Sequence, residues 1–472
     1  MKKNIGVCLG ILGLALGVVG APAARAQSRM AAGGSGGATD TSAPSTPATP
    51  AASSPADLRQ RIDALKAELA ELNAELATEK DGDSAASTAA PQGQGSTTPA
   101  ATPPAETPAA APAPAPLPTP SMAGPLATAV PHELGEGPFG KIEVTGILSG
   151  MGWTEGNYVP PDSPTHWDLS NAQVFIQKTT GWWQFYLQGG AYNLPALGVP
   201  FVKTVDTVKN LYGPFPVGYL KLVKGNFNVE VGSLPTLIGA EYTFSFENMN
   251  VERGLLWGLE PAISRGIQLS DTYKKLSVSF SWNDGFYSNR YSSLSGSLAW
   301  AFNASNTLSF VASGNAGSYA KNTAATPLFL NNSSVYNLLY TYSHGNLVVT
   351  PYYQYTDTKT NAAIGIPQGA HTNGGALLVN YNFKHGISLA ARPEYVKSSG
   401  SAADPNEISL LYGPGSGAFA FTVTPTYVKD GFFLRGDFSI VHATNSTPGA
   451  VFGTTGLKVN QPRGVIEAGF MF

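Results

Sequence analysis

Five charged side chains lie close together in one stretch of the chain, Leu234–Ala262. They are Glu241, Glu247, Glu252, Arg253 and Glu260. Four carboxylates beside one guanidinium give a narrow aqueous passage a mildly acidic field, which attracts cations and admits neutral polar solutes. We therefore expect this stretch to control which solutes pass, with Glu247 and Glu252 on the acidic side and Arg253 as the facing charge.

The other residues of this stretch indicate how it is placed. On both sides of it the chain alternates between apolar and small polar residues, whereas the stretch itself does not. It also holds Tyr242, Phe244, Phe246 and Trp257, which an open loop in water does not favour. We interpret it as a loop folded into the lumen of a membrane β-barrel, which it narrows. The alternative is a large extracellular flap packed on the barrel rim.

No set of residues in the chain predicts catalysis or metal binding. Ligand spacing is missing among the six histidines, which are His132, His166, His344, His371, His385 and His442. A local cluster joins His442 with Asp437 and Ser439, but strand alternation puts His442 on the opposite face from the other two. We expect no enzyme activity, no cofactor and no metal site.

The composition favours a membrane barrel. Only 12% of the 472 residues are charged, against about 25% in soluble domains. After the N-terminus no apolar run reaches the roughly 18 residues that a membrane-spanning helix needs. The apolar residues are instead spread in pieces of period two, together with 53 glycines. The net charge of −3 argues against nucleic acid as a partner.

The N-terminal residues 1–26 have the pattern of an export signal. Two lysines precede an apolar core, and the small residues Ala24 and Ala26 mark a cleavage site before Gln27. The only cysteine, Cys8, lies inside this signal, so no thiol is expected in the mature chain. Residues 27–54 are Ala, Gly, Ser, Thr and Pro for the most part, a composition typical of disorder.

Residues 55–80 predict a short helix, which Ser54 caps. Its aliphatic side chains follow a heptad spacing, at Leu58, Ile62, Leu65, Leu69, Leu72 and Leu76. Because an isolated helix would leave these side chains in water, we expect a coiled coil and therefore a homo-oligomer. The alternative is an amphipathic helix that lies on the membrane or on the barrel.

A linker rich in Pro and Ala follows, at residues 81–138. It would place the helix at a distance from the rest of the protein, on the periplasmic side. Peptidoglycan is a further candidate partner of this N-terminal segment.

Residues 139–472 carry the pattern of an antiparallel barrel. Seven short turn signals alternate with eight longer connections and predict sixteen strands; they lie at 179–181, 224–226, 273–275, 303–306, 344–346, 384–386 and 429–431. The number is fixed to within about two strands, because Ile408–Gly417 fits either a loop or an extra strand. An even number of strands with short turns at one end is typical of the outer membrane of Gram-negative bacteria.

The last residues of the chain, Gly464–Phe472, alternate and end on an aromatic side chain. Ile466, Ala468, Phe470 and Phe472 share one face. This pattern resembles the signal that the outer-membrane barrel-assembly machinery reads. We expect that machinery and outer-membrane lipid as partners.

Strand alternation also predicts charged side chains on the inner wall of the barrel. These are Glu143, Lys221, Glu230, Arg392, Glu394, Arg435, Asp437 and Glu467. Between Phe139 and Phe472 there are 20 Lys and Arg against 19 Asp and Glu, so the barrel is almost neutral. Most of these wall charges are expected to pair with one another rather than to bind a solute.

The block Ser233–Gly266 resembles the motif of the OmpL-like putative β-barrel porin family, and the resemblance extends over Phe139–Phe472. It implies an outer-membrane pore for passive diffusion of small hydrophilic solutes or ions. The block falls between predicted strands five and six. In general diffusion porins, which are similar in architecture, that connection is the constriction loop, although their acidic-glycine loop motif is not present in this chain.

A second function fits the same sequence. The chain would then be a structural or adhesive outer-membrane protein, with a closed barrel and a coiled coil that tethers the envelope. Two other classes are excluded: a TonB-dependent receptor needs a plug domain and about 22 strands, and an autotransporter needs a folded passenger.

Overall fold

The computed structural model describes residues 132–137, 140–404 and 407–472. The predicted signal, the segment 27–54, the helix 55–80 and the linker as far as residue 131 lie outside the described residues. Among the described residues, no helix is long and apolar enough to cross a membrane.

The described residues form a closed antiparallel barrel of sixteen strands. Each strand pairs with the next along the chain, and the last strand, Asn460–Met471, pairs back with the first, Gly140–Glu155, which closes the barrel. The predicted strand number is therefore confirmed. The strands are β2 (Gly140–Glu155), β3 (Thr165–Lys178), β4 (Trp183–Tyr192), β5 (Val217–Lys224), β6 (Phe227–Pro235), β7 (Ile263–Tyr273), β8 (Leu276–Asn283), β9 (Ser293–Asn303), β10 (Asn306–Asn315), β11 (Ser333–His344), β12 (Leu347–Thr358), β13 (Ala370–Asn382), β14 (Ile387–Ser398), β15 (Gly417–Lys429), β16 (Phe432–Thr444) and β17 (Asn460–Met471).

Short turns join the strands at one end of the barrel, at all seven places that the sequence predicts. Between β15 and β16 the turn residues Asp430 and Gly431 have φ values of 50° and 81°. Two-residue hairpin turns need positive φ at both positions, which Asp-Gly tolerates well. Residues 408–416 form a loop, so the segment Ile408–Gly417 does not add an extra strand to the barrel.

A further strand, β1 (His132–Gly137), precedes the barrel. It lies inside the segment for which the sequence predicts a linker, and it pairs with the beginning of β2 from Val144 to Gly140. The pairing of β2 with β17 reaches Gly146 through Phe472, and the residues of β2 before Gly146 pair with β1 instead, which satisfies their backbone groups.

The two faces of the barrel wall differ in polarity. On β16, Phe438 is 58% exposed on the outer face, while Asp437 beside it is fully buried on the inner face. The same alternation holds on β14, where Leu389 and Tyr395 face outward and Arg392 and Glu394 face inward. An apolar outer belt with a polar interior is the arrangement that lipid and water together select.

The remaining regular elements of the described residues are short and lie in the longer loops. They are the helices α1 (Thr204–Asn210) and α2 (Leu328–Asn331) and the 3-10 turns Ser245–Glu247 and Trp257–Leu259.

Candidate functional site

The connection between β6 and β7, residues 236–262, lies inside the barrel, and we call it the inner loop. β6 and β7 are the fifth and sixth strands of the closed barrel. The loop reaches strands far from its ends: Gly239 N donates to Asn337 Oδ1 on β11 at 3.2 Å, and Asn250 Nδ2 donates to Thr424 Oγ1 on β15 at 2.6 Å. Its Tyr242, Phe244 and Phe246 are buried, with Phe244 at 1% exposure. The loop therefore crosses the lumen rather than covering the rim.

Arg392 on β14 organises the first of three charged contacts between the inner loop and the wall. Its guanidinium pairs with Glu241 of the loop and donates to the Glu252 carbonyl at 2.8 Å. In the other direction, Leu255 N of the loop donates to Glu394 Oε2 on β14 at 2.9 Å. Each buried charge thus has a partner of opposite sign or a hydrogen bond, as burial requires.

Arg463 on β17 forms the second contact. It pairs with Glu155 on β2 at 2.7 Å and with Glu252 of the inner loop at 3.1 Å. Glu252 also accepts a hydrogen bond from Ser439 Oγ at 2.8 Å, and its backbone N–H donates to Asp437 Oδ2 at 2.7 Å. All three charged side chains of the Arg463 cluster have no exposed surface. Arg463 thus joins β17 and β2, the two strands whose pairing closes the barrel, to the inner loop.

Arg435 on β16 forms the third contact. It pairs with Glu467 on β17 at 3.4 Å and donates to the carbonyls of Ser245 and Asn248 in the inner loop, at 2.9 and 2.8 Å. Ser245 Oγ in turn donates to Glu467 Oε1 at 3.0 Å. The first 3-10 turn of the loop is thereby fixed to the wall.

Arg253 joins the inner loop to a second loop inside the barrel. Its Nη2 donates to the Pro195 carbonyl at 3.0 Å, and its backbone pairs with Pro195 and Leu197 at 2.9 Å. The guanidinium is buried and lies 5.9 Å from the Trp257 ring centroid. Burial lowers the pKa of Arg253 to about 10, so it still carries its charge at neutral pH. The predicted role of Arg253 as a charge facing the pore does not fit this position.

The remaining loop carboxylates are also bonded. Glu247 Oε2 accepts the Phe244 N–H at 3.1 Å, and Glu260 accepts the hydroxyl of Tyr352 on β12. Burial raises the pKa of Glu247 to about 7 and that of Glu260 well above its usual range. The expectation of free carboxylates at Glu247 and Glu252 is therefore wrong, because both side chains bond within the packed loop and wall instead of facing water.

The raised pKa of Glu247 makes the stability of the barrel depend on pH. The folded state holds a proton on Glu247 up to about pH 7, whereas the unfolded state releases it near pH 4.5. The contribution of Glu247 to the free energy of unfolding is therefore fully present below pH 4.5 and is lost as pH rises through about 7. We expect the free energy of unfolding to fall by up to about 3 kcal/mol from this group between pH 5 and pH 8. Urea titrations across that range measure it.

Glu247→Gln supplies the control, since glutamine keeps the shape of the protonated acid and does not titrate. The fall in stability between pH 5 and pH 8 should be smaller in this variant. Parallel curves for variant and wild type would contradict the assignment.

All eight predicted wall charges face the interior. Five of them, Arg392, Glu394, Arg435, Asp437 and Glu467, lie beneath the inner loop. Nearer the short-turn end, Lys221 and Glu230 pair across β5 and β6 at 2.8 Å, and Glu143 lies 3.4 Å from Lys141. Among the eight, Lys221 pairs with Glu230, Arg392 with Glu394 and Arg435 with Glu467, while Glu143 and Asp437 bond to residues outside this set.

Sequence reasoning missed Glu155 and Arg463, which complete the interior charge clusters. Arg463 lies four residues before Glu467 on the same face of β17, so alternation alone could have found it. It also missed the inward position of residues 195–199, whose carbonyls accept hydrogen bonds from Arg253 and Arg463 and which the sequence does not mark by any charge pattern.

The structure keeps the one candidate catalytic cluster apart. His442 is exposed on the outer face, where its Nδ1 lies 2.7 Å from Asn460 Oδ1, while Asp437 and Ser439 are inside. Among the described residues, no group of three or more His, Cys, Asp or Glu side chains could hold a metal ion.

Comparison with known proteins gives a family and several similar folds. The model of the family described as putative beta-barrel porin-2, OmpL-like, matches residues 141–472. A loop-deletion mutant of OmpT from Vibrio cholerae has a TM-score of 0.47 and 10% identity, covering 70% of this chain and 99% of its own. The anion-selective porin from Comamonas acidovorans has the same TM-score and coverages with 12% identity. The outer membrane channel DcaP of Acinetobacter baumannii has a TM-score of 0.47 and 9% identity, covering 72% of this chain and 99% of its own. Comparison with curated proteins gives no match.

Proposed function

Because the chain belongs to the putative beta-barrel porin-2, OmpL-like family, a family of outer-membrane barrels, we propose that it is a porin. It forms a water-filled channel in the outer membrane of a Gram-negative bacterium, through which small hydrophilic solutes or ions diffuse passively. The inner loop narrows that channel. No step of this function calls for an enzyme reaction or a cofactor.

One observation carries the proposal: a long loop is bonded inside a closed barrel whose outer face is apolar. The inner loop bonds to β11, β12 and β14–β17. Its Phe246 and Phe244 pack on Phe175 of β3 and Tyr192 of β4, and the inner face of β7–β10 lies between these two sets of strands. A loop held against part of the wall reduces the cross-section of the barrel and leaves a passage along the rest of it.

Recording of single channels from the purified full-length protein in planar bilayers tests the proposal. Discrete, voltage-independent conductance steps in KCl are the expected result, because the passage is always open to water. Their absence, together with liposomes that stay impermeable to small sugars and salts, would overturn it.

That negative result would favour the second candidate, a closed structural or adhesive barrel. The observation behind this second candidate is the dense packing of the lumen beneath the inner loop, where the side chains of Arg392, Arg435 and Arg463 have no exposed surface. The bilayer recording therefore decides between the two functions.

We also propose that residues 55–80 form a periplasmic coiled coil, which spaces or anchors the barrel and contacts a second copy or peptidoglycan. Deleting residues 27–131 is then expected to leave channel conductance unchanged, because β1 and the whole barrel remain. Bilayer recordings of the deletion variant beside the full chain measure this. A large fall in conductance in correctly assembled barrels would show that the segment takes part in the passage.

The C-terminal strand is the proposed contact with the barrel-assembly machinery. Phe472 is half-exposed on the outer face, and a side chain at Gly146 would collide with its ring. The outer belt itself contacts lipid.

A further inference from the structure

The inner face of four consecutive strands, β7 to β10, carries no charged side chain. It carries an array of hydroxyls, in which Ser270, Ser279 and Ser297 lie side by side on three strands. Thr272 and Ser277 form the next row toward the short-turn end, and Ser309 lies in that row on β10. We call these six residues the hydroxyl wall.

The hydroxyl wall meets water, in contrast with the charged wall opposite. Thr272 is exposed and the other five are half-exposed. The inward-facing charged side chains of β14–β17 are covered by the inner loop, whose carboxylates are all bonded. A solute that passes the inner loop along β7–β10 therefore meets hydroxyls, and the nearest charges on the neighbouring wall, Lys221 and Glu230, are paired with each other.

The hydroxyls are oriented by one another but retain capacity for a ligand. Ser270 and Ser279 bond at 2.9 Å, and Thr272 and Ser277 bond at 3.0 Å. A hydroxyl can donate one hydrogen bond and accept two, so each pair leaves further positions for partners. Such a surface exchanges hydrogen bonds with solute hydroxyls, whereas it offers an ion no compensating charge for the water that the ion gives up.

We infer that the hydroxyl wall is a weak binding surface for uncharged polyhydroxylated solutes, that is, sugars and polyols, on the conduction path. This inference rests on the proposed channel function and names its solute class. The carboxylates of the acidic stretch, from which a cation preference was expected, do not face this path, because they are bonded within the packed loop and wall.

Two triple variants test the inference. Ser270→Val, Ser279→Val and Ser297→Val together remove three hydroxyls, whereas the matched Thr variant at the same positions keeps them on side chains of the same shape. Both residues suit strands. Glucose is added to channels that conduct KCl in planar bilayers, and the concentration that halves the glucose-dependent reduction of current is measured.

Glucose is expected to reduce the KCl current of the wild type and of the Thr variant alike. In the Val variant the half-effect concentration should rise about tenfold, since each lost hydrogen bond weakens binding by about two- to tenfold and not all three are made at once. The reversal potential in a KCl gradient should lie near zero in all three proteins.

The outcomes separate the two proposals. KCl steps with no effect of glucose on the wild type, or with equal effects on the Val and Thr variants, overturn the inference alone. A strongly cation-selective reversal potential would also overturn it, because free carboxylates would then line the path. Absence of KCl steps in the wild type overturns the channel itself and with it the binding surface.

Discussion

Removing residues 240–258 and joining the ends with a short Gly-Ser turn is expected to raise the single-channel conductance several-fold. The inner loop packs inside the barrel, with Leu255 and Leu256 among inward-facing wall residues such as Leu339 and Val396. Conductance follows the narrowest cross-section of the aqueous path, and removal of the loop widens it. The strands themselves keep every ladder hydrogen bond.

The control is a deletion in another loop, the connection between β10 and β11. Residues 320–324 are exposed, and their removal should leave the conductance unchanged. Both variants are first checked for barrel assembly by the heat-dependent shift of their electrophoretic mobility. An unchanged conductance in the assembled inner-loop variant would mean that the loop lies outside the conduction path.

Replacing Arg463 by methionine is expected to destabilise the barrel by about 3–5 kcal/mol, the usual cost of leaving a buried charge without its partner. Glu155 and Glu252 both pair with this guanidinium, and neither has any exposed surface. The substitution also removes the hydrogen bond that Arg463 Nη1 donates to the backbone carbonyl of Ala196 at 2.7 Å. The midpoint of urea unfolding in lipid vesicles should fall accordingly.

Lys221→Met provides the matched control, because it also breaks an ion pair between neighbouring strands. Lys221 and Glu230 keep some contact with solvent, so about 1 kcal/mol or less is expected. Adding Glu155→Gln and Glu252→Gln to Arg463→Met should restore part of the stability, since no uncompensated charge then remains. Equal effects of the two single variants would show that the Arg463 cluster is not buried.

The sequence by itself determined the barrel fold, the orientation of its strand residues and the positions of its turns. Strand alternation is a local property, because successive side chains point to opposite faces, so outward Phe438 and inward Asp437 follow from their parity alone. Turn chemistry is equally local, which is why Asp430-Gly431 and the other six turns were predicted at their correct positions. The same reasoning placed the inner loop between the fifth and sixth strands of the barrel.

What the loop's charges do was decided only by the tertiary structure. Glu252 meets Arg463 from a distance of 211 residues along the chain, and Arg392 meets Glu241 across 151. Parity tells which face a charge is on but not which strand lies across the lumen, nor which carboxylates lose contact with water. The loop is acidic by composition, whereas in the folded protein its carboxylates are buried and bonded and the uncharged hydroxyl wall keeps contact with water.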